Sequence, residues 1–116
     1  MFSRGERIRK TLMKEISDII QRHVKDPRIA GIVSVTDIDL SNDYGHAKVY
    51  VSVYGSDEEK ENTIEALQDC TPKIRKELGK RIRLRLTPEL EFFRDDSLER
   101  GSKLTDLINK ISRGEL

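Results

Sequence analysis

The sequence predicts an α+β fold in which helices cover one face of a three-stranded mixed sheet. Three observations lead to this fold class. Apolar residues recur at helical spacing at both ends of the chain and in its middle, two segments alternate apolar and polar residues, and turn-forming residues separate these segments. The 116 residues are enough for one domain with a single core. We expect residues 1–96 to form this domain and residues 97–116 to be its C-terminal helical extension.

The first element is a helix from about Arg4 to Val24. Ser3 and Glu6 have the spacing of a capping box, and a stripe of apolar residues follows them. The helix should end before Asp26-Pro27, because the residue that precedes a proline is pushed out of helical space. The stripe consists of Ile8, Leu12, Ile16, Ile19 and Ile20.

Two strands joined by a tight turn come next. We expect them from Val33 to Ser41 and from Ala47 to Tyr54, with Asn42-Asp43-Tyr44-Gly45 as the turn of a hairpin. The second strand alternates cleanly between apolar and polar residues, as in a sheet buried on one face. The first strand changes phase between Val35 and Ile38, which indicates a β-bulge.

Ser56 and Glu59 repeat the capping-box spacing and predict the start of a second helix. The helical phase continues past Pro72, so two helices should meet at a bend at residues 70–72, with Pro72 in the first turn of the later helix. Gly79 is expected to end that helix.

A third strand is predicted from Ile82 to Leu86, where apolar residues alternate with Arg83 and Arg85. Pro88 should end its regular pairing, although residues 90–93 could extend it. Because two helices separate this strand from the hairpin, the sheet is expected to be mixed.

A last helix is expected after Asp95, Asp96 or Ser97, each of which can cap it. Glu91, Asp95 and Asp96 could instead hold magnesium or act as general acid and base. Strand-end solvation and helix capping explain these carboxylates more simply. Since the chain also lacks a glycine-rich phosphate loop and a Gly-x-Ser-x-Gly elbow, we do not expect an enzyme.

Positive charge is concentrated between Lys73 and Arg85. Seven basic residues and one acid give this segment a charge of 7 − 1 = +6, whereas the whole chain carries only +1. Such a local excess is typical of a surface that binds a polyanion. The candidate RNA-binding residues are Lys73, Arg75, Lys76, Lys80, Arg81, Arg83 and Arg85, extended by Arg4, Arg7 and Lys10 of the first helix.

Other reactive side chains have simpler structural explanations. Cys70 could be a nucleophile, but packing at the helix bend explains it better. His23 and His46 lie far apart in sequence without the spacing of metal ligands, so no metal or cofactor is expected. Tyr50 and Tyr54 could stack on bases, although tyrosines of half-buried strands are commonly structural.

The expected location is the cytoplasm. Cys70 is the only cysteine, the N-terminus lacks the apolar stretch of a secretory signal, and no apolar run approaches the roughly 20 residues that cross a bilayer. Nothing in the sequence requires oligomerisation, so a monomer is expected.

Four separated segments carry a resemblance to a known family. "DPRI", "SNDYGHAKVYVSV", "LGKRIRLRLTPELEF" and "DDSLERG" occur here in this order. Together they make the chain resemble ribosome-binding factor A, a bacterial assembly factor of the small ribosomal subunit. The resemblance implies a KH-like domain of the type II topology, with the order α-β-β-α-kink-α-β and an additional C-terminal helix. It also implies binding to immature small subunits and their ribosomal RNA without catalysis.

The chain departs from many KH domains at the bend. KH domains that grip single-stranded nucleic acid use a Gly-x-x-Gly loop, and none of the seven glycines here has a second one three residues later. In the family that the chain resembles, a kink often containing Ala-x-Gly replaces this loop. The corresponding residues here are Cys70, Thr71 and Pro72, and Pro72 would bend the chain by constraining the backbone.

The sequence thus favours a maturation factor that binds immature small subunits and assists ribosomal RNA processing and assembly. No small-molecule substrate and no membrane partner are expected. The alternative is a protein-interaction adaptor whose acidic helix, between Ser56 and Asp69, or whose C-terminal helix recruits a partner. In that case the basic patch would be incidental.

Overall fold

The computed structural model describes residues 3–29, 32–83 and 87–97, which contain three helices and three strands. The elements follow the predicted α-β-β-α-kink-α-β order. The additional C-terminal helix, and with it the predicted extension over residues 97–116, lies outside the described residues except for Ser97. In chain order the elements are α1 (Arg4–His23), β1 (Val33–Leu40), β2 (His46–Val53), α2 (Asp57–Asp69), α3 (Thr71–Arg81) and β3 (Glu89–Arg94).

Both predicted capping sites are present. The Ser3 hydroxyl oxygen accepts a hydrogen bond from the Glu6 amide at 3.2 Å and so satisfies one free N–H at the start of α1. At the start of α2, Ser56 and Glu59 cap each other's backbone amides reciprocally. The two helices therefore begin where the sequence predicts.

The sheet has the order β1-β2-β3 and is mixed, as predicted. β1 runs antiparallel to β2, and β3 runs parallel to β2. Val49 lies at the centre of the sheet, paired with Ile38 on one side and with Phe92 on the other. The predicted bulge is present between Val35 and Asp37.

The turn between β1 and β2 is built by its own side chains. Asp43 Oδ1 accepts hydrogen bonds from the Ser41 hydroxyl at 2.7 Å and from the Gly45 amide at 2.9 Å. These bonds hold the pKa of Asp43 below its ordinary value. Tyr44 has a φ of 61°, a left-handed conformation that this tight turn imposes on a residue with a side chain.

The hydrophobic core lies between the sheet and the helices. α1 packs on β1 and on α3, whereas α2 packs on β3. α1 contributes its predicted apolar stripe, α2 and α3 contribute apolar residues of their inward sides, and the inward side of each strand contributes alternate residues. The fully buried large side chains include Leu12, Ile16, Ile19, Ile38, Leu67, Ile74 and Leu78.

The third strand lies later in the chain than the sequence predicts. It runs from Glu89 to Arg94, while Ile82 and Arg83 belong to neither helix nor strand, and residues 84–86 lie outside the described part. Both segments alternate apolar and polar residues, so pattern alone could not decide between them. Pro88 precedes the strand instead of ending it. The hydrogen bonds to β2 begin with the Glu89 amide, which donates to the Gly45 carbonyl oxygen. Pro88 has no N–H to donate, so it fits just before this first bond.

The predicted end of α3 at Gly79 is also wrong, because the helix continues to Arg81. Gly79 is an exposed helical position that lies close to the segment after the helix. A Cβ atom at this position would lie 3.1 Å from Thr87 Oγ1, tighter than ordinary van der Waals contact. The glycine therefore permits the close approach of Thr87 and does not stop the helix.

Candidate nucleic-acid interface

Three lysines form one exposed stripe on α3. Lys73, Lys76 and Lys80 follow one another at spacings of three and four residues, which places them on the same side of a helix. Ile74 and Leu78 are fully buried on the opposite side. We call these three lysines the lysine stripe; they are the part of the predicted basic patch on α3 that faces solvent.

The lysine stripe is almost free of internal ion pairs. Among the described residues, Lys73 and Lys76 have no ion-pair partner, and Lys80 only approaches the Glu77 carboxylate at 3.8 Å. An ion pair at that distance on an exposed surface contributes little to the free energy of folding. These ammonium groups are therefore available to an external anion.

Arg75 points away from the lysine stripe. Its Nε donates to the carbonyl oxygen of Pro88 at 3.0 Å, and its Nη2 donates to that of Thr87 at 2.9 Å. Its Nη1 also lies 3.5 Å from a Glu89 carboxylate oxygen. Arg75 thus ties α3 to the start of β3 and satisfies carbonyl groups that lie outside regular structure.

Arg81 is the centre of an ion cluster between α1 and α3. Its guanidinium lies 2.6 Å from Asp18, 3.2 Å from Glu15 and 3.4 Å from Glu77. The hydrogen bond from Arg81 holds the pKa of Asp18 below its ordinary value, and the same bond raises the pKa of Arg81. His23 Nε2 lies 3.0 Å from Arg81 Nη2. With an exposed fraction of only 20% for its side chain, Arg81 mainly joins the two helices.

Three other predicted RNA-binding residues lie on the described surface around α3 and α1. Arg83 is exposed just after α3. Arg7 is exposed on α1, as is Lys10, which makes further interactions. Arg85 lies outside the described residues. Arg83 and Arg7 can therefore be added to the lysine stripe as solvent-facing cations.

Arg4 is engaged with the hairpin turn. Its guanidinium lies over the ring of Tyr44, 5.6 Å from the ring centroid, in a cation–π contact. This contact joins the first turn of α1 to the turn between β1 and β2. The same cation stays exposed to solvent, so a structural contact and a place at the margin of the basic surface are compatible.

A groove separates α1 from the end of α3. It is lined by Arg7, Ile8, Thr11 and Leu12 of α1 and by residues 81–83, and its volume is about 260 Å³. We call it the α1/α3 groove. It brings Arg7 and Arg83, which are far apart in the sequence, to one site. Sequence patterns could not reveal the groove, because its two sides meet only through the packing of α1 against α3.

The predicted kink is present at Cys70. This residue ends α2 and precedes α3, with φ of −87° and ψ of 1°, so the chain turns between two helices without a gap. Pro72 lies in the first turn of α3. A backbone N–H at this position would have no acceptor within the helix, so the missing N–H of proline costs no hydrogen bond. The Thr71 hydroxyl donates to the Leu67 carbonyl oxygen at 3.2 Å. Cys70 is half-buried against the core, in agreement with a packing role.

The acidic helix α2 forms ion pairs at its surface with arginines of neighbouring segments. Arg94 of β3 donates to Glu61 at 2.8 Å and to Asp57 at 2.6 Å. At the other end of the helix, Arg28 lies 2.9 Å from Asp69. These pairs join α2 to β3 and to the segment after α1, but their carboxylates stay mostly exposed, so the acidic surface of the adaptor alternative is still present.

The segment after α1 is held by the same arginine. Arg28 Nη2 lies 2.8 Å from Asp26 Oδ2. The Arg28 backbone amide also donates to Asp26 Oδ1 at 2.9 Å, and this bond stabilises the turn after α1. The Arg28 side chain lowers the pKa of Asp26 to about 2. Arg28 therefore joins the connection after α1 to the end of α2.

The carboxylates considered for magnesium or for acid–base chemistry have structural surroundings. Asp95 accepts a hydrogen bond from the Thr36 hydroxyl, and Asp96 pairs with Arg94 at 3.0 Å. Glu91 is exposed on β3. In the described part of the chain, no three His, Cys, Asp or Glu side chains are grouped so that they could hold a metal ion.

The two strand tyrosines differ in their surroundings. The Tyr50 ring stacks on Phe93 of β3 with centroids 5.6 Å apart, which supports the structural role. Tyr54 is 85% exposed just after β2.

Of the helices within residues 3–29, 32–83 and 87–97, none is long and apolar enough to cross a membrane.

Comparison with known proteins decides the family. The family model described as ribosome-binding factor A matches residues 4–108. The chain belongs to the ribosome-binding factor A family. A family member from Halothermothrix orenii is 51% identical over 112 residues, which are 97% of this chain and 91% of that relative.

Solved structures of ribosome-binding factor A share the fold. The crystal structure of the Thermus thermophilus protein matches with a TM-score of 0.68 and 27% identity, over 76% of this chain and 91% of that one. A Thermus thermophilus ribosome-binding factor A model fitted into a cryo-EM map of a complex with the 30S subunit matches with a TM-score of 0.64, 27% identity and the same coverage. Membership of this family and the predicted α+β fold with a mixed sheet are thus confirmed.

Proposed function

We propose that this protein is a maturation factor of the small ribosomal subunit that binds immature subunits and their ribosomal RNA and assists RNA processing and assembly without catalysis. Membership of the ribosome-binding factor A family and the likeness to a relative fitted into a 30S complex support the partner. The lysine stripe is the single observation that supports RNA contact, because its ammonium groups are barely neutralised by acids of the fold. Its work would take place in the cytoplasm, and a monomer suffices for it.

The mechanism is binding energy alone. A bound factor favours one arrangement of the RNA only to the extent that it binds that arrangement more tightly than the others. Lysines contribute by neutralising phosphates and releasing counterions, a contribution that depends on salt and not on base sequence. Release follows maturation when the finished RNA no longer offers the preferred arrangement.

The RNA surface proposed from the structure is narrower than the basic patch in the sequence. It consists of the lysine stripe together with Arg83 and Arg7, which face solvent. Arg75 and Arg81 have a structural role beneath this surface, because the Arg75 guanidinium binds backbone carbonyl groups and the Arg81 guanidinium binds carboxylates of the fold. Arg4 and Lys10 stay candidates at its margin.

Co-sedimentation tests this function. The full chain should sediment with precursor small subunits and not with mature ribosomes. Charge reversal of two residues of the lysine stripe, Lys73→Glu with Lys76→Glu, should abolish this association, because phosphates would then meet carboxylates. The variant must melt at the temperature of the parent protein, so that a loss of association can be attributed to the changed surface and not to unfolding.

The matched control reverses two lysines elsewhere on the molecule. Lys25 and Lys48 are exposed and have no ion-pair partner among the described residues, and they lie outside α3. Lys25→Glu with Lys48→Glu therefore changes the net charge by the same amount, and association should persist. Unchanged association of the Lys73/Lys76 variant would refute the proposed surface, as would equal loss in both double variants.

A further inference from the structure

The α1/α3 groove has an apolar floor among the described residues. Leu12 is fully buried beneath it, and Ile8 and Ile82 are half-buried and packed against the core. Thr11 is exposed at its edge. Such a groove suits a flat group that has one apolar face and polar edges, which is the chemistry of a nucleobase.

Charge around the groove selects an anionic occupant. Arg7 and Arg83 stand on its two sides and have no ion pairs among the described residues. No acidic side chain of the described chain lines it. Arg81 also lines the groove, but three carboxylates already compensate its charge. Arginines can make bidentate contacts with phosphates, so Arg7 and Arg83 fit the backbone on either side of a base.

The groove continues the surface proposed for RNA. Lys80 belongs to the last turn of α3, and Arg83 follows two residues after the end of that helix. An RNA strand that follows the lysine stripe therefore reaches the mouth of the groove. A base of a double helix is already stacked on both faces, so only an unpaired base can enter.

We propose that the α1/α3 groove holds one unpaired nucleotide of the bound RNA, with its base on the apolar floor and its neighbouring phosphates on Arg7 and Arg83. This inference rests on the proposed RNA-binding function and adds to it a preference for single-stranded segments. The lysine stripe supplies affinity that is indifferent to RNA structure, and the groove supplies the preference.

Filling the groove tests the inference. Thr11→Trp places a large ring at the edge of the groove without changing charge. Gln21→Trp, at an exposed position of the same helix and outside the groove, is the matched control. Each full-length variant is titrated with a short single-stranded RNA and with a duplex RNA of the same length. Thr11→Trp should weaken single-strand binding about tenfold, within the range for losing one stacked base, and leave duplex binding and its salt dependence unchanged. Gln21→Trp should leave both affinities unchanged.

A second measurement does not depend on any variant. In methyl NMR spectra of the parent protein, the signals of Ile8, Leu12 and Ile82 should shift with the single-stranded RNA and stay in place with the duplex. Equal affinity of Thr11→Trp and the parent protein for single-stranded RNA, without methyl shifts, would overturn the inference. Loss of small-subunit association by Thr11→Trp with full affinity for isolated RNA would also overturn it, because the groove would then receive a protein.

The two proposals fail in different ways. If Lys73→Gln with Lys76→Gln leaves binding to both RNAs intact, the proposed RNA surface is wrong. If that double variant weakens binding to both RNAs equally while Thr11→Trp weakens neither, the RNA surface stands and the nucleotide site is wrong.

Discussion

Replacing Lys73 and Lys76 by glutamine removes two charges that the fold itself does not use. Both side chains are exposed on α3 and have no ion-pair partner among the described residues. Surface substitutions away from packing and capping sites usually change the free energy of unfolding by less than about 0.5 kcal/mol. The double variant should therefore unfold like the parent protein, and any change in RNA binding can be attributed to the lost charges.

The size of the effect follows from counting the cations of the proposed surface. Lys73, Lys76, Lys80, Arg83 and Arg7 can each meet one phosphate. For single strands the slope of log affinity against log salt is roughly −0.7 per neutralised phosphate, so five contacts give about −3.5 and three give about −2.1. The double variant should thus lower the magnitude of the slope by about 1.4.

Fluorescence anisotropy over a series of salt concentrations measures both slopes with one labelled single-stranded RNA. Thermal unfolding of the same samples checks the fold. A slope that stays near the parental value in a folded double variant would refute the assignment of the lysine stripe to phosphate contact. Parallel lines with a constant offset would refute it equally, since they would mean that affinity changed without a change in the number of released ions.

Three further predictions concern the fold behind this surface. Arg81→Gln should lower the melting temperature, because Glu15, Asp18 and Glu77 would face one another without their cation. The salt slope of RNA binding should not change. A smaller slope with an unchanged melting temperature would contradict the structural role of Arg81. Leu78→Ala should lower the free energy of unfolding in urea by about 2–5 kcal/mol, since Leu78 is fully buried, and a loss below about 1 kcal/mol would show that the site relaxes around the cavity. Asp26 stabilises the fold above its unfolded pKa of 3.8 and loses this contribution as pH falls through its folded pKa of about 2. Asp26→Asn should therefore be less stable than the parent at neutral pH, and the difference should shrink as the pH of the thermal melts falls from about 4 towards about 2; a difference that does not depend on pH would count against the ion pair with Arg28.

Local signals predicted most of the elements correctly. The capping pairs that begin at Ser3 and Ser56 predicted the starts of α1 and α2, since a cap needs only residues within one turn. The alternation of apolar and polar residues predicted the two strands of the hairpin, and its change of phase after Val35 predicted the bulge. These signals also depend only on residues close together in the chain. The kink at residues 70–72 followed from Pro72 together with the unbroken helical phase on either side.

The third strand shows where local signals end. Residues 82–86 and 89–94 both alternate, and the second segment is the one that pairs with β2, through Leu90 beside Ala47 and Phe92 beside Val49. The choice between them depends on contacts of α3 with the residues just before β3: Gly79 lies next to Thr87, and Arg75 binds the carbonyl groups before β3. All of these interactions join residues that are not neighbours in the chain.

The sequence by itself determined the fold class, the order of the elements, the family and the excess of positive charge around α3. Each of these properties is written in neighbouring residues or in segments that keep their order. The tertiary structure alone decided which charges face solvent. Lys73 and Lys76 face it without an ion-pair partner in the described part, while Arg81 neutralises acids of α1 and Arg75 binds carbonyl groups before β3. Charge density is a local property of the chain, but an ion pair needs a partner that only folding brings within reach.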